Sequence, residues 1–333
     1  MQIPQENENY YHIYFNNKDK EIRRNYLDYG EDISKIRILI DKQVTSFKGI
    51  FDNCKCIKYI RFNKFYNSNI KDMSYMFAQC SSLTHIDFSF FVTEKVNNME
   101  KMFSGCSSLS YLNLNKFNTK YVTNMNYMFY GCSSLKRLNL SSFDTKNVND
   151  MSNLFEKCSS LKEINLLNFN TKNLNYACKM FSGCESLTKI DLSKFDANNI
   201  YTMEKMFCGC KNLQEIKLSK FTNSELINVE LMFKNCTSLK VLDLSDFHFM
   251  KVENMRGMFY GCSSLVQLKL SDFKNKNIQE INTYGMFNGC QFALKLKMKS
   301  LLHNFEEESF KDFISEEEEE SDEDEEEEGE IGR

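Results

Sequence analysis

Apolar and polar positions along this chain alternate in a pattern that returns every 26 residues. The unit is clearest in MFYGCSSLKRLNLSSFDTKNVND, residues 128–150. Cys54, Cys80, Cys106, Cys132, Cys158, Cys184, Cys210, Cys236 and Cys262 keep the step, and so do Phe65, Phe91, Phe117, Phe143, Phe169, Phe195, Phe221, Phe247 and Phe273. A fixed period of this length marks a solenoid, whose units bury their apolar faces only by stacking on one another.

Each unit divides in two. L-x-x-L-x-L, as in Leu135, Leu138 and Leu140, carries the period of two of a short strand with one buried face. V-x-x-M-x-x-M-F-x-x-C, as in Val122, Met125, Met128, Phe129 and Cys132, has offsets of 3, 6, 7 and 10 that predict one face of a short helix. Asn, Asp and Thr cluster ahead of it, where their oxygens cap free N–H groups. Phe143 followed by DTKN reads as a turn with a buried aromatic plug.

Residues 1–32 read as an N-terminal cap, with YYHIYF a candidate strand. Residues 33–299 form the solenoid of ten to eleven coils, starting at ISKIRI and ending at the degenerate ALKLKM of 293–298. These stack as a continuous parallel sheet. Met258 to Met286 is 28 residues, so the last full unit carries a two-residue insertion. Residues 300–314 read as an amphipathic C-terminal cap, and the acidic run 315–333 as disordered.

Charge sharpens this division. Residues 304–333 hold 17 Asp or Glu against Lys311 and Arg333, while residues 1–303 carry a net +11. The tail's roles are solubility, binding of basic proteins, or folding back on the solenoid, where Lys269, Lys295, Lys297 and Lys299 lie nearest. Ser315 and Ser321 sit in acidic contexts that suit phosphorylation. No signal-like segment and no run of roughly 20 apolar residues occurs, which predicts a cytoplasmic or nuclear protein without a membrane span.

Thirteen cysteines invite a metal or redox reading. A stack spaces side chains along a line, whereas tetrahedral zinc needs four that converge. The expectation is a ladder of buried, reduced, metal-free thiols packing as small hydrophobes. Neither His12, His85, His248 nor His303 lies in a triad or metal motif, and phosphate-loop and nucleophile-elbow motifs are missing. No catalytic residue and no cofactor is expected.

L-x-x-L-x-L once per coil with M-F-x-x-C-S-S-L ahead of it resembles the BspA-type leucine-rich repeat, over about residues 44–290. The resemblance implies an α/β repeat solenoid with a parallel β-sheet on the concave face and short helices on the convex face. It also implies surface or adhesion roles, so a surface-exposed adhesin stands beside the intracellular reading.

The outward pair of each strand can vary without harm to the core. The partner-binding candidates are Tyr59, Arg61, His85, Tyr111, Asn113, Arg137, Asn139 and Asn165. The amides of Asn113, Asn139 and Asn165 either pair with one another along the sheet or serve a partner. The functional expectation is a non-enzymatic scaffold that binds a protein on the concave face. Most of the basic excess is Lys, which argues against sequence-specific nucleic-acid reading.

Overall fold

The computed structural model describes residues 3–312 apart from 4, 17, 25, 27–30, 32, 42–43, 64–68, 197, 219–224, 272–280 and 303–304. The acidic run 315–333 with Ser315 and Ser321, His303, and the plug residues Phe65, Phe221 and Phe273 lie outside the described residues. So do residues 272–280, where part of the insertion falls.

The chain is a parallel solenoid with one core running from Tyr11 to Phe310. Met125, Met128, Phe129, Cys132 and Leu135 are fully buried, and their counterparts in neighbouring coils repeat them. The rings at 77, 103, 129, 155, 181, 207, 233, 259 and 287 form a stack. Phe103 lies 5.7 Å from Phe129, and Phe181 lies 5.5 Å from Phe207, with near-parallel planes.

That spacing rules out the expected helices. A helix is about 10–12 Å across, and a coil less than 6 Å from each neighbour has no room for one. The M-x-x-M-F-x-x-C segments are ribbons of consecutive turns instead. The N–H groups of Phe47, Gly49, Phe51 and Asn53 donate to Asp72, Ser74, Met76 and Ala78 of the next coil, at 2.8–3.0 Å. Those of Ile50, Asp52 and Cys54 turn back to the carbonyl three residues earlier. Two positions per coil, four apart, are left-handed, as in Tyr127 (φ 54°) and Gly131 (φ 65°). The ribbon still turns every third or fourth side chain inward, which is why its sequence reads as helical.

The continuous ladder also lies on this wall. Parallel bridges link Ser46, Asp72, Asn98, Asn124, Asp150, Tyr176, Thr202, Asn228, Asn254 and Asn282 in succession. On the opposite wall the strands are short and pair two by two. β3 (Tyr59–Arg61) pairs with β4 (His85–Asp87), and β5 (Arg137–Leu138) with β6 (Glu163–Ile164). β7 (Lys189–Leu192) pairs with β8 (Glu215–Leu218), and β9 (Val241–Leu244) with β10 (Gln267–Leu270). The single continuous sheet expected on that wall is thus a row of parallel pairs.

Both ends depart from the repeat. β1 (Tyr11–Phe15) pairs antiparallel with β2 (Ile36–Ile40), so the stretch read as the first parallel strand joins an N-terminal hairpin-like layer. ALKLKM is not a strand: Phe292–Leu301 is helix α1, with Leu294, Lys295 and Met298 buried. A helix satisfies its own backbone bonds without a neighbouring strand. Residues 306–312 then lie over the final coil. Glu308 and Ser309 accept from Gly285 and Phe287, and the Phe310 ring extends the stack 5.2 Å beyond Phe287.

Candidate functional site

The strand wall presents the outward columns that the sequence singled out. At its N-terminal end Tyr59 and His85 stack face to face, 5.1 Å apart and 1° from parallel. Arg61 Nε donates to Tyr59 Oη at 2.9 Å and lies 3.2 Å from Asp87 Oδ2. The hydroxyl and N–H of Ser89, then the Arg61 charge, hold the Asp87 carboxyl below its ordinary range. Tyr59, Arg61 and His85 thus form one exposed, interlocked cluster.

Tyr111 and Asn113 stand exposed in the next coil, on either side of buried Leu112. Arg137, Asn139 and Asn165 lie further along and line an open trough of about 680 Å³ that continues past Lys189 and Asp191 to Glu215 and Lys217. The eight candidates therefore fall into an aromatic cluster, a linking coil and a polar trough, all on one wall.

The Asn column has a role that sequence reasoning missed. Asn113, Asn139 and Asn165 accept from the N–H two residues on, at 3.0–3.1 Å. Asp87, Asp191 and Asp243 do the same. These side chains turn the chain at the end of each strand. Mutual pairing along the column is not what occupies their oxygens: Asn139 Nδ2 donates to Asn115 rather than to another column member. The available signal was that Asn and Asp alternate at positions 87, 113, 139, 165, 191 and 243, because the turn uses the side-chain oxygen that both supply.

Ion pairs stitch the strand pairs. Arg61–Asp87, Arg137–Glu163, Lys217–Asp191 and Lys269–Asp243 each join the two strands of one pair. Three lysines expected to attract the tail are likewise engaged. Lys269 pairs with Asp243 at 2.7 Å, Lys299 with Glu307 at 2.8 Å, and buried Lys295 with Asp312.

The thiols form a hydrogen-bonded ladder. Cys132 Sγ donates to the Phe103 carbonyl at 3.2 Å, Cys158 to Phe129 at 3.1 Å, and the pattern runs to Cys290. Burial pushes the Cys80, Cys132 and Cys290 thiols up to about 12. Among the described residues no three His, Cys, Asp or Glu side chains converge as a cation would require.

The matches to known sequences agree with this architecture. A family model described as "Mycoplasma protein of unknown function, DUF285" matches residues 28–113, 106–190 and 179–299. The chain belongs to that family. The BspA-type leucine-rich repeat read from the sequence holds, on a stack in which successive coils are bridged in register. Similar solved structures include a leucine-rich repeat protein from Bacteroides ovatus, 19% identical, with 83% of this chain and 88% of that one covered and a TM-score of 0.29. A leucine-rich cell surface protein from Faecalibacterium prausnitzii is 14% identical, with coverages of 71% and 84% and a TM-score of 0.31. A leucine-rich repeat protein from Eubacterium ventriosum is 18% identical, with coverages of 76% and 48% and a TM-score of 0.30. The comparison with curated proteins gives no match. No helix among the described residues is long and apolar enough to cross a membrane.

Proposed function

We propose that this protein is a non-enzymatic interaction scaffold that docks a protein partner along its strand wall. The observation carrying this reading is the division of labour in each coil. Inward positions repeat almost without change, while outward strand positions vary from Tyr and His to Arg, Glu, Lys and Val. Tyr59 and Tyr111 are 47% and 60% exposed. Exposed tyrosines beside arginine are the residue types that dominate contact energy at protein interfaces. The trough then supplies a polar surface of alternating charge, suited to orienting a partner.

The test is affinity capture with the full chain, a Tyr59→Ala/Tyr111→Ala/Arg137→Ala variant, and a Tyr130→Ala/Lys234→Ala variant of the turn wall. Proteins retained by the first and third but lost from the second support the reading. Identical profiles from all three reject it. The same wall would serve an exported adhesin, and protease treatment of intact cells separates the two settings. Protection places the scaffold in the cytoplasm or nucleus; digestion places it on the surface.

A further inference from the structure

We propose that Lys120, Lys146 and Lys172 form a docking edge for a linear run of carboxylates, and that its occupant is this chain's own acidic segment, residues 316–330. The three lysines occupy one register position in three successive coils, about 4.8 Å apart. All three are exposed. Their backbones are held from both sides. The Lys120, Lys146 and Lys172 N–H groups donate to Asn118, Asp144 and Asn170 side chains at 3.1–3.2 Å. Their carbonyls accept from the amides of Asn147, Asn173 and Asn199 at 2.7–2.8 Å.

Buried threonines lock the same corner. Thr119 Oγ1 donates to the Asp144 carbonyl and accepts from the Asp144 N–H, and Thr145 does the same with Asn170. The lysine positions are therefore fixed, and the Lys120 ammonium lies 5.4 Å from the centre of the Tyr121 ring. Among the described residues no carboxylate lies within ion-pair distance of these three, unlike Lys269, Lys295 and Lys299. Glu94, at the same register position one coil before Lys120, and Asp144 and Asp196 on the same corner offset part of the charge. In-register like charges repel, and a counter-charge supplied from elsewhere relieves that repulsion.

Thirteen of the 21 residues after Asp312 are Asp or Glu. Asp312 lies about six coils from Lys172, roughly 30 Å along the stack. A dozen extended residues span about 40 Å, so Glu325, Glu326, Glu327 and Glu328 reach the lysine edge. An extended acidic strand presents one carboxylate to a face about every 6.8 Å, and lysine's flexible stem absorbs the mismatch with the coil spacing.

The test is zero-length carbodiimide coupling of the full chain, followed by peptide mapping. Amide links from Glu323, Glu325, Glu326, Glu327 and Glu328 to Lys120, Lys146 and Lys172 are expected at low salt and should vanish near about 1 M salt. Dilution by about tenfold should leave the yield unchanged, because tethering makes the contact intramolecular. A full-length K120Q/K146Q/K172Q variant should lose the links without gaining them at Lys136 or Lys162. Coupling spread evenly over all exposed lysines overturns the proposal. So do links between two molecules in a mixed-isotope sample. A heparin fragment whose affinity for the edge is unchanged by Gln at the tail glutamates would assign the edge to an external polyanion and reject the tail as its occupant.

Discussion

The thiol ladder shows how much a single residue type carries here. Each buried ladder cysteine from Cys80 to Cys290 fills an apolar site and still satisfies its S–H on a neighbouring carbonyl, as Cys132 does at 3.2 Å. Thiols in an unfolded chain ionise near about 8.5, whereas those of Cys80, Cys132 and Cys290 are pushed up to about 12. The folded state binds its protons more tightly. The stability the thiols contribute is complete below about pH 8.5 and is lost as pH rises towards 12. Thermal melts should therefore hold steady from neutral pH to about 8 and fall beyond about 9. The fall should be shallower in Cys132→Ala/Cys158→Ala/Cys184→Ala, and an identical slope would contradict the account. Titration with a thiol reagent should modify exposed Cys56 first, and the nine buried thiols only after denaturation.

The turn ribbon makes a prediction whose sign distinguishes it from a helix. Gly131 is left-handed at φ 65°, and a Cβ there would meet only Gly105 at 3.7 Å. Space is available, so Gly131→Ala should cost about 1 kcal/mol or somewhat more from backbone conformation alone. In a helix the same change would stabilise by about 1 kcal/mol. Urea melts of the two proteins decide between them. The alternation of Met and Phe at offsets 3, 6 and 7 was legible as one buried face. Nothing within a single unit says that its N–H groups bond to the next coil, because that partner lies about 26 residues away.

At the scale of the whole molecule, stability is the sum of coil-to-coil contacts and end covers. Leu138, 6% exposed, packs in the common core. Leu138→Ala should cost about 2–5 kcal/mol, and Leu138→Asp should unfold at least the coils beside it. Phe310 closes the stack over Phe287. Phe310→Ala should remove the cover and raise hydrogen exchange first at the Met286 and Phe287 amides, before any change near Phe129. Uniform exchange along the solenoid would show that the coils melt as one unit and that the cap has no local role.

The 26-residue period by itself determined the stack, its inward columns and its exposed strand positions. Those follow from burial, which depends only on the spacing of apolar residues. The tertiary structure decided what spacing cannot express. A coil separation below 6 Å excludes helices and sends the turn N–H groups sideways. The strands pair two by two, each pair bridged by an exposed ion pair. Asn113, Asn139 and Asn165 commit their oxygens to turns. At the two ends the strand wall stops repeating, and repeat-like segments become an antiparallel strand and a helix. Apart from the Asn turns, which close within two residues, these outcomes depend on neighbours far along the chain, whose distance no single unit encodes.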